Sequence, residues 1–221
     1  MAIKAVLFDI DGTLVDSNDF HVRAWDEAFR AAGHQFDQQT LHDQIGKGTD
    51  MLVPALLPHL DEGSGAALGE RHGQIFKERF LDRVQPFQGA RELLIRVRDA
   101  GQRVVLASSA SKGELEHYLD LLDARDFVSA STSADDVAST KPAPDIFATA
   151  LGRVAPLGPD EAVVVGDTPY DVEAAGKCGI RTVALRSGKF PDEKLHKAGA
   201  IAIYDDAAAL LADYDRSPLA Q

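Results

Sequence analysis

Ile3-Lys4-Ala5-Val6-Leu7-Phe8-Asp9-Ile10-Asp11-Gly12-Thr13-Leu14-Val15-Asp16 is the stretch whose reading decides the fold. Residues Ile3 to Ile10 form a short apolar run, which reads as a central strand buried on both faces. The run ends in acids and a glycine. If the strand continued, period-two geometry would put Asp9 and Asp11 on one side, and Gly12 lets the chain turn away just afterwards. Two carboxylates this close repel each other unless a cation neutralises them or one holds a proton. Both outcomes are chemically useful. A hard divalent cation such as Mg²⁺ combines carboxylates with a substrate phosphate oxygen, and a protonated acid can serve a leaving group.

Downstream, Asp16 to about Pro86 carries little strand signal. Phe20, Trp25, Ala28 and Phe29 recur near helical spacing and Gly33 makes a stop. Gln38 to Leu60 and Gly65 to Arg83 continue as broken helical stretches punctuated by Gly46, Gly48, Pro54 and Pro58. After Pro86-Phe87-Gln88-Gly89 strand and helix take turns: strands at 103–107, 127–131, 162–165, 182–185 and 200–204, helices at 90–100, 112–122, 143–154, 171–178, 191–198 and 207–214. The alternation predicts an α/β fold, a Rossmann-like parallel sheet with helices on both faces. The early helical stretch reads as an inserted cap. Residues 1–16 and 87–221 then make the core and 17–86 the cap, with a frayed tail from Arg216.

In open α/β sheets ligands sit beyond the carboxyl ends of the strands. Besides Asp9 and Asp11, three such ends carry chemistry. Ser108 and Ser109 precede a helix, where hydroxyls and backbone N–H groups suit an anion. Lys141 stands beside Pro142 just before another helix. Asp167 and Asp171 follow a strongly apolar strand. Taken singly, each has an ordinary alternative: Asp-x-Asp-Gly as a turn, serines as caps, Lys-Pro and Gly-Asp-Thr-Pro as loops. Together they recur in fixed order, each after a predicted strand of one sheet, and capping alone does not produce that.

Asp9-Ile10-Asp11-Gly12-Thr13-Leu14-Val15-Asp16-Ser17, Ser108, Lys141-Pro142 and Gly166-Asp167-x-x-x-Asp171 resemble the four motifs of the haloacid dehalogenase-like hydrolase superfamily, across nearly the whole chain. The helical insert resembles that family's C1 cap, and the chain is similar to the phosphoglycolate phosphatase and β-phosphoglucomutase branch. The resemblance implies that Asp9 is a nucleophile forming an aspartyl-phosphate and that Asp11 protonates the leaving alcohol, then activates water. It implies a Mg²⁺ held by the Asp9 carboxylate, the Asp11 backbone carbonyl and the Asp167 carboxylate. Ser108 and the Ser109 amide would hold phosphoryl oxygens, Lys141 would neutralise charge beside Asp9, and Asp171 would orient the metal shell or Lys141. Ser108 stands where the family often has threonine, and the hydroxyl is kept.

Selectivity would lie in the cap, closing over the site. There Ile45-Gly46-Lys47-Gly48-Thr49-Asp50 sets a lysine between glycines, which can bring Lys47 toward an anionic substrate or leave it on a solvated loop. Asn18 and His21 can also face the site, with a surface role for His21 as the alternative. Trp25 and Phe29 read as packing. The expected substrate is a small phosphorylated metabolite, phosphoglycolate-like or a sugar phosphate. A β-phosphoglucomutase-like isomerase and a non-catalytic phosphate-binding regulator on the same fold are the rival readings. A nucleotide-binding Rossmann module would need a Gly-x-Gly-x-x-Gly turn after the first strand, where acids stand instead.

The formal net charge of −12 argues against nucleic acid and acidic membrane surfaces as partners. It also requires that any anionic substrate be met by a local cation. The single cysteine, Cys178, leaves no internal disulfide framework. With no apolar run of membrane-spanning length and no signal-peptide pattern, a cytoplasmic setting is expected.

Overall fold

The structure is a computed structural model and describes residues 2–221. Among these residues, six strands form one parallel sheet: β1 (Ala5–Phe8), β2 (Arg103–Ala107), β3 (Val128–Thr132), β4 (Ala162–Gly166), β5 (Arg181–Leu185) and β6 (Ala202–Tyr204), in the order β3-β2-β1-β4-β5-β6. β1 is central, with Phe8 level with Leu106 on β2 and with Val165 on β4. Strand order reverses direction at β1, the place where an open α/β sheet opens a crevice at its carboxyl edge.

Period-two alternation divides the apolar residues between two faces. Val6, Phe8, Val104, Leu106, Val163 and Val165 join one core. Against it lie α5 (Ala90–Asp99), α6 (Lys112–Leu121) and α10 (Ala207–Ala212), through residues such as Leu93, Tyr118 and Leu210. Ala5, Leu7, Val105, Ala107 and Val164 face the other way, onto α7 (Asp145–Gly152) and α8 (Pro169–Lys177). α9 (Asp192–Ala198) covers the β5 and β6 end through Leu195. Burial on both sides is why β1 and β4 are apolar throughout.

Between β1 and α5 the chain folds as the inserted helical cap: α1 (Asn18–Ala31), α2 (Gln38–His42), α3 (Thr49–Leu56) and α4 (Glu62–Arg79). Trp25, Phe29, Leu41, Leu52 and Leu68 give it an apolar centre of its own. Pro54 lies inside α3 instead of ending it. The chain leaves and re-enters the core side by side. Val15 bridges Pro86 in antiparallel fashion, the Asp16 amide donates to the Gln85 carbonyl (2.9 Å), and the Phe87 amide donates to Leu14 (2.9 Å).

Two local expectations change. α8 begins two residues before Asp171, because Thr168 caps it reciprocally with Asp171 and Pro169 suits a first helical position. The tail from Arg216 is docked, not frayed. Leu219 is fully buried in the main core, Ser217 caps a last 3₁₀ turn, and the Gln221 carbonyl accepts the Ile3 amide (2.9 Å). Leu219→Ala should therefore cost about 2–5 kcal/mol, the range for a buried leucine truncation, read as a lower urea midpoint at unchanged slope. An unchanged midpoint would mean the tail contributes nothing.

Candidate active site

The candidate residues of the core stand just past the carboxyl edge of the sheet. Asp9 directly follows β1, and its amide donates to the Val165 carbonyl (2.9 Å), which extends the β1–β4 ladder and fixes Asp9 beside Asp167. The Ser108 amide donates to Thr132 (3.0 Å) in the same way on the other flank. Lys141 reaches in from the loop before α7. Its Nζ lies 2.5 Å from Asp9 Oδ1 and 2.7 Å from Asp171 Oδ1, and all three side chains are buried. Asp171 Oδ2 is taken by the amide and hydroxyl of Thr168 (3.0 and 2.7 Å).

Asp167 is buried and accepts from Thr13 Oγ1 (2.8 Å) and Asn18 Nδ2 (2.9 Å). Two glycines allow this crowding. A Cβ on Gly12, whose φ is +75°, would fall 2.2 Å from Asp167 Oδ2, and one on Gly188 would fall 2.1 Å from it. One carboxylate oxygen from each of Asp9, Asp167 and Asp171 lies within 4.8 Å of the others.

Asp11 has a different environment. Its Oδ1 accepts from Ser17 Oγ (2.6 Å) and Tyr118 OH (2.9 Å) and meets His21 Nε2 (3.2 Å), while Ser108 Oγ lies 3.5 Å from Oδ2. Burial alone would raise its pKa, but the hydrogen bonds and charge of His21, with those of Ser17 and Tyr118, hold it below the ordinary carboxylate value. Asp9 goes the other way: burial, reinforced by Asp171 and Asp11 and only partly offset by Lys141, pushes it up to about 7. Burial, then Asp9 and Asp171, raise Asp167 well above its ordinary value. For Lys141, burial is outweighed by Asp171 and Asp9, so its pKa rises and it stays charged.

The cap roofs a cavity of about 1060 Å³ into which Asp9, Asp11 and Ser109 open from the core and His21 and Lys47 from the cap. The buried Ser109 Oγ has no hydrogen-bond partner among the described residues. His21 stacks on Phe76 and its Nδ1 meets His72 Nε2 at 3.2 Å. Burial and the neighbouring His21 hold His72 well below the ordinary histidine value, so it is neutral. The Lys47 ammonium is engaged by Gln44 Oε1 (2.6 Å) and stands 4.4 Å from the Tyr170 ring centroid. Trp25 stacks between Phe29 and His72, a packing role.

The expected residues thus come together, and others join them that the sequence alone did not single out. Tyr118 occupies an apolar position of α6 and His72 a mid-helix position of α4, where both read as packing. Asp50 and Thr140 form the cap's latch. The Thr140 amide (2.9 Å) and hydroxyl donate to the Asp50 carboxylate, and the Gly48 amide donates to Thr140 Oγ1 (2.9 Å). A Cβ on Gly48 would lie 2.5 Å from Thr140, so glycine is what permits the approach. Thr140 precedes Lys141 directly, and the cap therefore grips the segment carrying the site's lysine.

Comparison with known proteins agrees with this geometry. The family described as haloacid dehalogenase-like hydrolase matches residues 3–179. The chain belongs to that family. Among relatives of this haloacid dehalogenase-like hydrolase, the N-acetylmuramic acid 6-phosphate phosphatase of Pseudomonas aeruginosa is 28% identical, over 98% of this chain and 97% of that protein. The phosphoglycolate phosphatase of Rhodospirillum rubrum is 27% identical, over 94% and 89%. The crystal structure of a hydrolase from Pseudomonas syringae superposes with a TM-score of 0.90 at 30% identity, covering 96% of this chain and 98% of that one.

The donor set of this haloacid dehalogenase-like hydrolase fits a divalent cation. Asp9, Asp167 and Asp171 cluster three buried carboxylates, of which one ammonium meets only Asp9 and Asp171, and Gly12 and Gly188 keep side chains away from the Asp167 oxygens. An acid whose folded pKa is raised loses stability as pH climbs from its unfolded value near 3.8 toward the folded value, here about 7 for Asp9. The metal-free protein should be less stable at about pH 8 than at about pH 5.5 through this group, and a divalent cation should raise Tm more at the higher pH, where no proton competes for the carboxylates. Equal Tm increments at both pH values would refute the assignment.

Proposed function

We propose that this hydrolase is a Mg²⁺-dependent phosphatase that cleaves a small phosphorylated metabolite through an aspartyl-phosphate on Asp9, with Asp11 as general acid and base. The observation that carries the reading is the pair of acids two residues apart, both lining the cavity, with opposite environments: Asp9 on the Lys141 ammonium, Asp11 under three donors. The names of the relatives, two of them phosphatases of phosphate monoesters, support the same reaction class.

In this reading Asp9 attacks phosphorus with its carboxylate, the bond to the leaving oxygen breaks, and Asp11 supplies the proton that oxygen needs. A dianionic phosphoryl group beside Asp11 favours its protonated form for that step. Once the alcohol leaves, the donors from Ser17, Tyr118 and His21 favour the carboxylate, which takes a proton from the water that splits the acyl phosphate. Ser108, Ser109 and Lys141 hold the phosphoryl oxygens and offset their charge. Asp9, the Asp11 carbonyl and Asp167, with Asp171 behind them, would hold Mg²⁺, which would supply charge neutralisation between carboxylates and phosphate. His21 and Lys47 stand toward the leaving group. Residues 17–86 act as the mobile cap, and a cytoplasmic setting accords with a single unpaired cysteine.

Asp9→Asn should abolish phosphate release from para-nitrophenyl phosphate while leaving the urea midpoint near the parent value. Retained Mg²⁺-dependent turnover removes Asp9 as nucleophile, and interconversion of sugar phosphate isomers without net phosphate release would point to a mutase. Asp50→Ala tests the latch. Loosening the segment that carries Lys141 should lower kcat/KM roughly ten- to hundredfold, the penalty of a small misplacement near the reacting atoms. Unchanged kinetics would show that the cap contact does not place the lysine.

A further inference from the structure

Between β5 and α9 the chain makes a 3₁₀ turn, Arg186–Gly188, closed by the Lys189 amide on the Arg186 carbonyl (2.8 Å). On its core side this turn meets the acids at the end of the sheet. Ser187 Oγ donates to the Gly12 carbonyl (2.6 Å), one residue along from the Asp11 carbonyl. Gly188 lies so close to Asp167 that a Cβ would fall 2.1 Å from Oδ2 and 2.8 Å from the Asp167 Cβ. Gly12 crowds the same oxygen. The Ser187 hydrogen bond therefore ties together the two glycine walls that confine the Asp167 carboxylate, and it steadies the backbone that presents the Asp11 carbonyl. One turn supports two of the donors expected for the cation.

On its other side the same turn meets the cap. His42, the last residue of α2, places Nε2 3.0 Å from the Gly188 carbonyl. A carbonyl only accepts, so Nε2 carries the hydrogen and donates. The buried Nδ1 has no hydrogen-bond partner among the described residues, and the ring packs on Phe190 with centroids 4.9 Å apart. The contact with Gly188 is thus the hydrogen bond this ring is oriented to make. Lys189 takes a left-handed φ of +64°, uncommon for a residue with a Cβ. Its ammonium reaches Asp19 in the first turn of α1 (2.7 Å). Two cap helices therefore hold a turn that bears on Asp167.

We propose that Ser187 and His42 are positioning residues for the metal site: they clamp the Gly188 backbone against Asp167 from the core and from the cap, so that seating the cap tightens Mg²⁺ binding. Both act through backbone, Ser187 on Gly12 and His42 on Gly188. The inference rests on the assignment of Asp9, the Asp11 carbonyl and Asp167 to the cation in the phosphatase reading. Residues that support metal ligands carry a measurable share of metal affinity, about ten- to hundredfold on removal. Linkage makes the effect mutual: if a seated cap favours the ion, the ion favours the seated cap by the same factor.

The test is calorimetric titration of the metal-free full chain with Mg²⁺. Ser187→Ala should weaken binding about tenfold and His42→Leu about threefold or more. His42→Gln, whose amide can still donate to the Gly188 carbonyl, should bind within about twofold of the parent. Lys194→Met removes an exposed cap–core ion pair with Asp43 (3.0 Å) that does not involve Gly188, and should leave the affinity unchanged. Hydrogen exchange gives a second readout. The Gly48 amide donates to Thr140 across the cap–core junction, and saturating Mg²⁺ should slow its exchange in the parent and do so less in His42→Leu. Parent-like affinity in both Ser187→Ala and His42→Leu overturns the positioning roles and leaves the phosphatase reading in place. So does an equal loss in His42→Gln or Lys194→Met, or Gly48 exchange indifferent to Mg²⁺. Absence of calorimetric Mg²⁺ binding by the parent removes the metal assignment itself, and this inference falls with it.

Discussion

The buried contact of the Lys141 ammonium with Asp9 and Asp171 is the interaction on which the rest of the site depends. Removing one partner from such a contact leaves a charge without compensation, at a cost of about 3–5 kcal/mol. The fold supplies the geometry from three directions: the end of β1 for Asp9, the first turn of α8 for Asp171, and the loop before α7 for the lysine. With Asp167 beside them, three buried carboxylates cluster where one ammonium pairs with only two. The protein has gathered a deficit of positive charge among buried side chains, and a cation or a proton offsets it.

Asp9 and Asp11 show how environment separates two chemically identical groups. Asp9 is stripped of solvent and has a single cationic neighbour, whereas Asp11 is surrounded by hydroxyl and imidazole donors. One of those donors, His21, comes from α1 of the cap, and Ser17 stands just ahead of it. The electrostatic contrast is therefore complete only when the cap is seated. The Asp50–Thr140 contact extends the same dependence to the segment that carries the lysine.

Much of this was legible in the sequence because the relevant signals are local. The apolar run ending at Asp9, the alternation of strands and helices after Gly89, and the polar residues at successive strand ends place Asp9, Ser108, Lys141 and Asp167 at one edge of a sheet. What escaped reading depends on contacts between distant segments. Tyr118 lies in an apolar stripe whose hydroxyl happens to reach Asp11, and His72 meets His21 across two cap helices 51 residues apart. Asp50 resembles an ordinary acid in the first turn of a helix, yet its partner is 90 residues away. The docked tail is illegible in the sequence for a related reason: a short polar-flanked segment carries no periodicity, and only the buried Leu219 shows that it belongs to the core.

The paired crossing at Val15 and Pro86 has a broader consequence. Because the two chain segments enter the cap already hydrogen-bonded to each other, the sheet meets the insert as the ends of a closed loop. Lengthening such a loop adds only about 0.6 kcal/mol for each doubling of its length. The catalytic scaffold is thereby insulated from whatever is spliced in above it. A different helical module grafted between these two points could bring a new roof, and a new recognition surface, to an unaltered floor.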